Sequence, residues 1–273
     1  MSAPTIAPSS TCPSVMALEL FAQYDLLRLK TYQNAEHLGE RIRTRAFGTA
    51  TALRFDDVGY FNRVYAPDGS LSQYIHEVEE FYRGCPFPCE LVGPRIGLSD
   101  EIDEVCRRRG WVTGGQYAWL YSRTEGLPAS DVSNSFQIRQ PEERERTLFL
   151  TCYLKAFEAE PHRHAGAIRN MRHLFNQAGL SFLMAWKDGV PAGIAMMYQR
   201  GRSAVFCAGA TLPEYREQDC HSALLAARIR LAIESECDEI FSWAIAGKQS
   251  ERNMLRAGLQ RAGITSAWRF PVG

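Results

Sequence analysis

The chain has 273 residues, 31 Lys and Arg against 31 Asp and Glu, and hence zero formal net charge; 45% of it is hydrophobic and 23% charged. These values exclude whole-chain disorder and collagen-like repeats, allow a sizeable core, and argue against a long phosphate-tracking surface for nucleic acid. No apolar run reaches the roughly 18 residues of a membrane span, and the length corresponds to about two domains.

Residues 1–15 (MSAPTIAPSSTCPSV) show neither the basic start nor the apolar stretch of a secretory leader, and their Pro and Ser predict a disordered, mobile tail. The spacing of Leu20, Phe21, Tyr24 and Leu27 predicts an amphipathic helix over 17–33. Strands are expected at 51–54 and 62–65. A helix follows over 71–82 with Ile75, Val78 and Phe81 on one side, then a strand at 90–92, a helix at 100–109 and a strand at 116–122. Residues 124–135 (TEGLPASDVSNS) are poor in apolar side chains and divide the chain into domains at 16–123 and 136–273.

The second half starts with a strand at 136–139 and a helix opened by Pro141, followed by a helix at 165–175. Three strands at 181–186, 193–199 and 203–210, turned by Asp188-Gly189 and Gly201, form an antiparallel meander. A long helix spans 218–236. Residues 239–245 (EIFSWAI) are apolar on both faces, as in a central strand. A helix at 250–257 and a strand at 265–270 close the chain. An internal echo joins the halves: EVCRRRGW (104–111) parallels RNMLRAGL (252–259), each a short helix ending in Gly plus a bulky apolar residue, followed by a strand with an inward Trp (Trp119, Trp268).

The eight cysteines, at 12, 85, 89, 106, 152, 207, 220 and 237, sit largely in apolar runs. That usage fits buried free thiols in a reducing cytosol, and hence a cytoplasmic protein, rather than a disulfide framework. Cys85 and Cys89 make half a zinc motif with no second pair at matching spacing, so no metal is expected.

The stretch carrying chemistry is AGATLPEYREQDCHSALLAA (208–227). A buried strand gives way to a loop with Arg216 and then to a helix N-terminus, whose N–H groups and dipole make an anion site. Arg216 either pairs with a phosphate there or is simply solvated. This order, with SERN (250–253) and AGL (257–259) after the apolar strand, resembles the GCN5-related N-acetyltransferase family, above all its tandem members. The resemblance covers about 136–270 well and about 45–123 loosely.

The resemblance implies an α/β (α+β) fold of two similar halves, the first degenerate, around a mixed central sheet with a V-shaped split between strands 203–210 and 239–245. It implies transfer of an acyl group, usually acetyl, from acetyl-CoA to an amine of a small molecule or peptide. By the same match Ala210, Thr211 and Leu212 would bond the pantetheine amides through their backbone. The loop Arg216, Gln218, Asp219, Cys220, His221 and Ser222 would hold the pyrophosphate, and Asn253 would contact the arm near the sulfur. The first half lacks such a loop, so no second cofactor is expected there.

Two departures qualify this. The family's loop glycines are replaced by Asp219 and His221. A carboxylate about 4 Å from a phosphate costs on the order of 4 kcal/mol at an effective dielectric near 20; turned outward, Asp219 acts only as a helix-end acid. His221 either offsets that charge or is a helix-surface histidine. At the family's tyrosine acid stands Met254. Candidate bases for the amine are Glu160, His162 and His164, in the loop between the half's first two helices, unless that loop is plainly solvated. Cys207 is either a nucleophile or a packed thiol. Alternatives keep the fold but take the acyl group from an acyl carrier protein, or make the chain an inactive ligand-binding module. Monomer and homodimer are both open.

Overall fold

The computed structural model describes residues 12–93, 100–127 and 135–270. In chain order these form α1 (Pro13–Glu36), β1 (Ile42–Phe47), β2 (Ala50–Phe55), β3 (Arg63–Tyr65), α2 (Ile75–Tyr82), β4 (Cys89–Val92), α3 (Asp100–Arg108) and β5 (Val112–Arg123). The second half contributes β6 (Gln137–Arg139), α4 (Arg146–Ala156), α5 (His164–Met171), β7 (Leu180–Lys187), β8 (Val190–Arg200), β9 (Ser203–Thr211), α6 (Cys220–Glu234), β10 (Glu239–Ile245), α7 (Gln249–Arg256) and β11 (Gln260–Phe270).

Most expected elements occur, with ends moved by a few residues. The tail expected over 1–15 lies outside the described residues for 1–11, and Pro13 already opens α1 from the first helical turn, where its missing N–H is no loss. Residues 128–134 of the expected linker also lie outside the described residues. Strand β1 was not expected from the sequence: its four central residues are all exposed, so no apolar alternation marks it at the sheet edge. The helix expected over 71–82 is a 3-10 turn (Gly69–Tyr74) followed by α2, and that over 165–175 ends as a 3-10 turn (Arg172–Asn176). Pro141 lies ahead of its helix: Glu142 and Glu145 cap each other reciprocally before α4 starts at Arg146.

One mixed sheet runs through both halves in the order β1-β2-β3-β4-β11-β5-β10-β9-β8-β7-β6. The expected meander β7-β8-β9 is antiparallel, and β10 is parallel to β9. Each half ends by lending its last strand to the other. Strand β5 pairs antiparallel with β10 from Glu239↔Arg123 to Ile245↔Tyr117, and β11 pairs with β4 at Trp268↔Leu91. The two lent strands pair with each other at the centre.

The internal echo is geometric as well. Gly110 (φ 78°) and Gly258 (φ 96°) both take the left-handed conformation past a helix end. Trp111 N bonds Cys106 O and Leu259 N bonds Met254 O, the same six-residue closure in each half. Both expected inward tryptophans are buried: Trp119 donates to Thr265 Oγ1 at 3.0 Å and Trp268 to Asp103 Oδ1 at 2.6 Å.

Helix α1 crosses the middle of the molecule. Its stripe Ala17, Leu18, Phe21, Tyr24, Leu29 and Tyr32 is buried against β5, β9 and α5. On the other face α6 buries Ala223, Leu224, Leu225, Ile229 and Ala232 over β8 and β9.

Candidate functional site: a cleft where two parallel strands part

Strands β9 and β10 are paired only from Ser203↔Glu239 to Phe206↔Ser242. Beyond that point β10 stays with β5 to Ile245, and β9 stays with β8 to Thr211. The sheet therefore opens as a V. The β8–β9 register shifts between Met196↔Ala208 and Tyr198↔Val205, a bulge at the place where the strands part. A bulge bends its strand and adds twist, which carries Cys207–Thr211 away from β10.

Side chains cap carbonyls along this stretch. Ser242 Oγ donates to Phe206 O (3.2 Å), and Arg228 Nη1 donates to Ala208 O (3.0 Å). Arg228 is buried beneath β9, over the Phe206 ring, and its Nη2 has no partner. A Cβ on Gly209 would lie 2.7 Å from that Nη2, so any side chain there would have to push the guanidinium aside.

The V opens into a cleft of about 810 Å³. Gly209, Ala210 and Thr211 form one wall. Arg216, Glu217, Asp219, Cys220, His221 and Ser222 form the loop and first turn of α6, and Gln249, Ser250, Arg252, Asn253 and Arg256 come from α7. Glu217 and Asp219 both sit at φ 64°, a conformation glycine adopts without strain, and Asp219 makes no side-chain cap to α6. Arg216 is held outside the loop: its Nη2 donates to Glu158 Oε1 at 2.6 Å and to Ala156 O at 3.3 Å.

Deeper in, Asn253 Nδ2 lies 3.1 Å from His221 Nδ1. Burial, and secondly the Arg228 charge, push His221 down to about 4, so it is neutral at ordinary pH. Burial pushes the thiols of Cys220 and Cys207 up to about 11, with the Thr211 and Tyr24 hydroxyls, respectively, opposing it.

The structure brings Ala210, Thr211, Arg216, Asp219, Cys220, His221, Ser222 and Asn253 together around the cleft. It does not bring Leu212 to it by the backbone: Leu212 N donates to Ala192 O and Leu212 O accepts from Tyr215 N. Gln218 is exposed, accepting from Lys187 Nζ and donating to Glu214 O. Glu160, His162 and His164 are absent from the cleft wall. Glu160 pairs with His162 and Arg163, and His164 Nε2 lies 2.9 Å from Ala159 O, because the loop folds on itself as a 3-10 turn. Met254 is buried in the apolar cluster under β10.

Arg228 was missed from the sequence, although the spacing His221, Leu224, Leu225, Arg228 puts an arginine in the buried stripe of α6. The Glu158–Arg216 pair had no signal, since 58 residues separate the partners. In the first half, β3 and β4 stay paired to Tyr65↔Val92, continued by Ala66 N to Val92 O, and Asp68 caps the turn that follows. Among the described residues no group of three or more His, Cys, Asp or Glu is arranged to hold a metal ion, and no helix is long and apolar enough to cross a membrane.

No family model and no curated protein matches the sequence. Solved structures do. A GCN5-related N-acetyltransferase from Sphaerobacter thermophilus is 13% identical with a TM-score of 0.61, covering 82% of each chain. One from Kribbella flavida is 13% identical with a TM-score of 0.60, covering 90% of this chain and 96% of its own. A tandem GNAT protein from the clavulanic acid biosynthesis pathway is 11% identical with a TM-score of 0.60, covering 85% of this chain and 84% of its own. With its parted strands, its loop–helix turn and two similar halves, the chain has the fold of the GCN5-related N-acetyltransferases in tandem form.

Proposed function

We propose that this protein is an N-acyltransferase that moves an acetyl group from acetyl-CoA to an amine of a small molecule or peptide. The observation that carries this reading is the opening of β9 from β10 beyond Phe206 and Ser242, leading into a cleft headed by the N-terminus of α6. The first amides of α6 leave donors to spare at its head, which suits a phosphorylated acyl carrier.

The thioester supplies an activated acyl carbon; the chain supplies position. Amides of Cys220, His221 and Ser222 would take the diphosphate, and the unpaired edge Gly209–Thr211 would take the pantetheine amides. The acyl end would lie by the bulge at Cys207. A thiol pushed up to about 11 is not a thiolate near neutrality, so Cys207 packs rather than attacks. Direct attack by the amine then gains its rate from orientation. Glu160, His162 and His164 lie outside this cleft, so the amine's base is not assigned among them.

A specific observation favours a second donor. Glu217 and Asp219 line the phosphate end of the cleft, and carboxylates there would oppose a full nucleotide more than the single phosphate of a phosphopantetheine arm on an acyl carrier protein. Calorimetric titration with acetyl-CoA, followed by thiol release against a panel of amines, tests the proposal. Micromolar binding with amine-dependent release supports it. Retention of a carrier protein without CoA binding moves it to the second donor, and neither result would leave an inactive module.

A further inference from the structure

The side chain of His221 stands where the family loop has Gly or Ala, and its proton can be placed from its neighbours. Asn253 Oδ1 accepts from Gln249 Nε2 (2.7 Å) and from Arg256 Nη2. A guanidinium has no acceptor, so the Asn253 atom it touches is the oxygen. The other amide atom, Nδ2, is then a donor, and it faces His221 Nδ1 at 3.1 Å. Nδ1 must accept. A neutral imidazole that accepts at Nδ1 carries its hydrogen on Nε2. Nε2 has no partner among the described residues, yet it is not sealed off as Arg228 Nη2 is, and His221 lines the cleft.

We infer that His221 is a ligand-binding residue of the cleft, donating its Nε2–H to an acceptor oxygen of the donor's phosphopantetheine arm. The inference rests on the proposed acyl-donor site and names the group that takes over from a loop glycine there. Burial and the Arg228 charge favour the neutral ring; of the other charged neighbours Arg256 acts in the same sense and the Asp219 carboxylate in the opposite one. Arg228 lies behind it on α6, Arg256 reaches it through Asn253 on α7, and Asp219 stands two residues earlier at the cleft rim. Adding a proton at Nδ1 would set two donors against each other at the Asn253 contact. The oxygen could belong to a phosphate or to a pantetheine carbonyl; the acceptor chemistry is the same.

The test pairs spectroscopy with binding. Nitrogen-15 spectra of the imidazole in the whole protein at neutral pH should show a neutral ring protonated on Nε2; the Nδ1 tautomer or an imidazolium would overturn the assignment. Dissociation constants are then measured for CoA, 4′-phosphopantetheine and pantetheine. His221→Gln, which keeps a donor near the Nε2 position, should stay within about threefold of the parent protein. His221→Ala and His221→Phe should lose about tenfold or more, the loss of one hydrogen bond to a charged or buried acceptor. A deficit that persists with pantetheine identifies a carbonyl, and one that vanishes with it identifies phosphate. Equal or tighter binding by His221→Ala overturns this inference alone. Binding of the probes without any amine-dependent turnover overturns the transferase reading alone, and failure of all three probes to bind overturns both.

Discussion

Arg216 lines the cleft, yet its guanidinium is engaged by Glu158. Both side chains are largely solvent-facing, at 46% and 65% exposure, so their ion pair contributes less than about 1 kcal/mol and yields readily to a diphosphate. Arg216→Ala should therefore weaken CoA binding by about 1–3 kcal/mol in calorimetry, while Glu158→Gln, which frees the guanidinium, should tighten it. An unchanged constant in Arg216→Ala would remove that residue from the site. Asp219 bears a second prediction. Its φ of 64° strains a side-chain-bearing residue, and it lines the phosphate end of the cleft. Asp219→Gly should stabilise the fold by about 0.5–1 kcal/mol and raise CoA affinity; a lower melting temperature would contradict the strain argument. The loop was legible in the sequence because Arg216, Asp219 and His221 lie a few residues apart at one helix start. The base candidates misled because three titratable side chains in one short loop look like a cluster whether they face a ligand or each other.

Among the elements, the opening between β9 and β10 depends on the bulge near Cys207 and on Arg228 beneath Gly209. The strand pair itself could be read from apolar runs and order. The bulge could not, since AVFCAGA (204–210) has no polar residue and gives no register signal. Gly209→Ala should displace the Arg228 guanidinium from Ala208 O and cost about 1–3 kcal/mol. Arg228→Met in the same chain should recover part of that loss, so a double-mutant cycle by chemical denaturation should be clearly non-additive. Additive costs would mean that the two residues do not share one contact.

At the scale of the whole molecule, the halves are knit by exchange of their last strands, β5 to β10 and β11 to β4. The repeat of helix, glycine and strand was visible in the sequence. The exchange was not, because β5 and β11 read alike and each completes either half by pattern alone. A fragment of residues 136–273 would leave β10 and β11 without β5 between them and expose two long edges. It should aggregate or stay unfolded by proton–nitrogen correlation spectra, while the full chain unfolds in a single transition; a well-dispersed, soluble fragment would show that the exchange is dispensable.

The most direct measurement is a crystal structure of the full chain grown with acetyl-CoA. Density is expected for the pantetheine arm running between Gly209–Thr211 and α7, with the diphosphate over the amides of 220–222 and the thioester beside Cys207. Density for the cofactor outside this cleft, or a cleft closed by its own side chains under saturating acetyl-CoA, would contradict that placement.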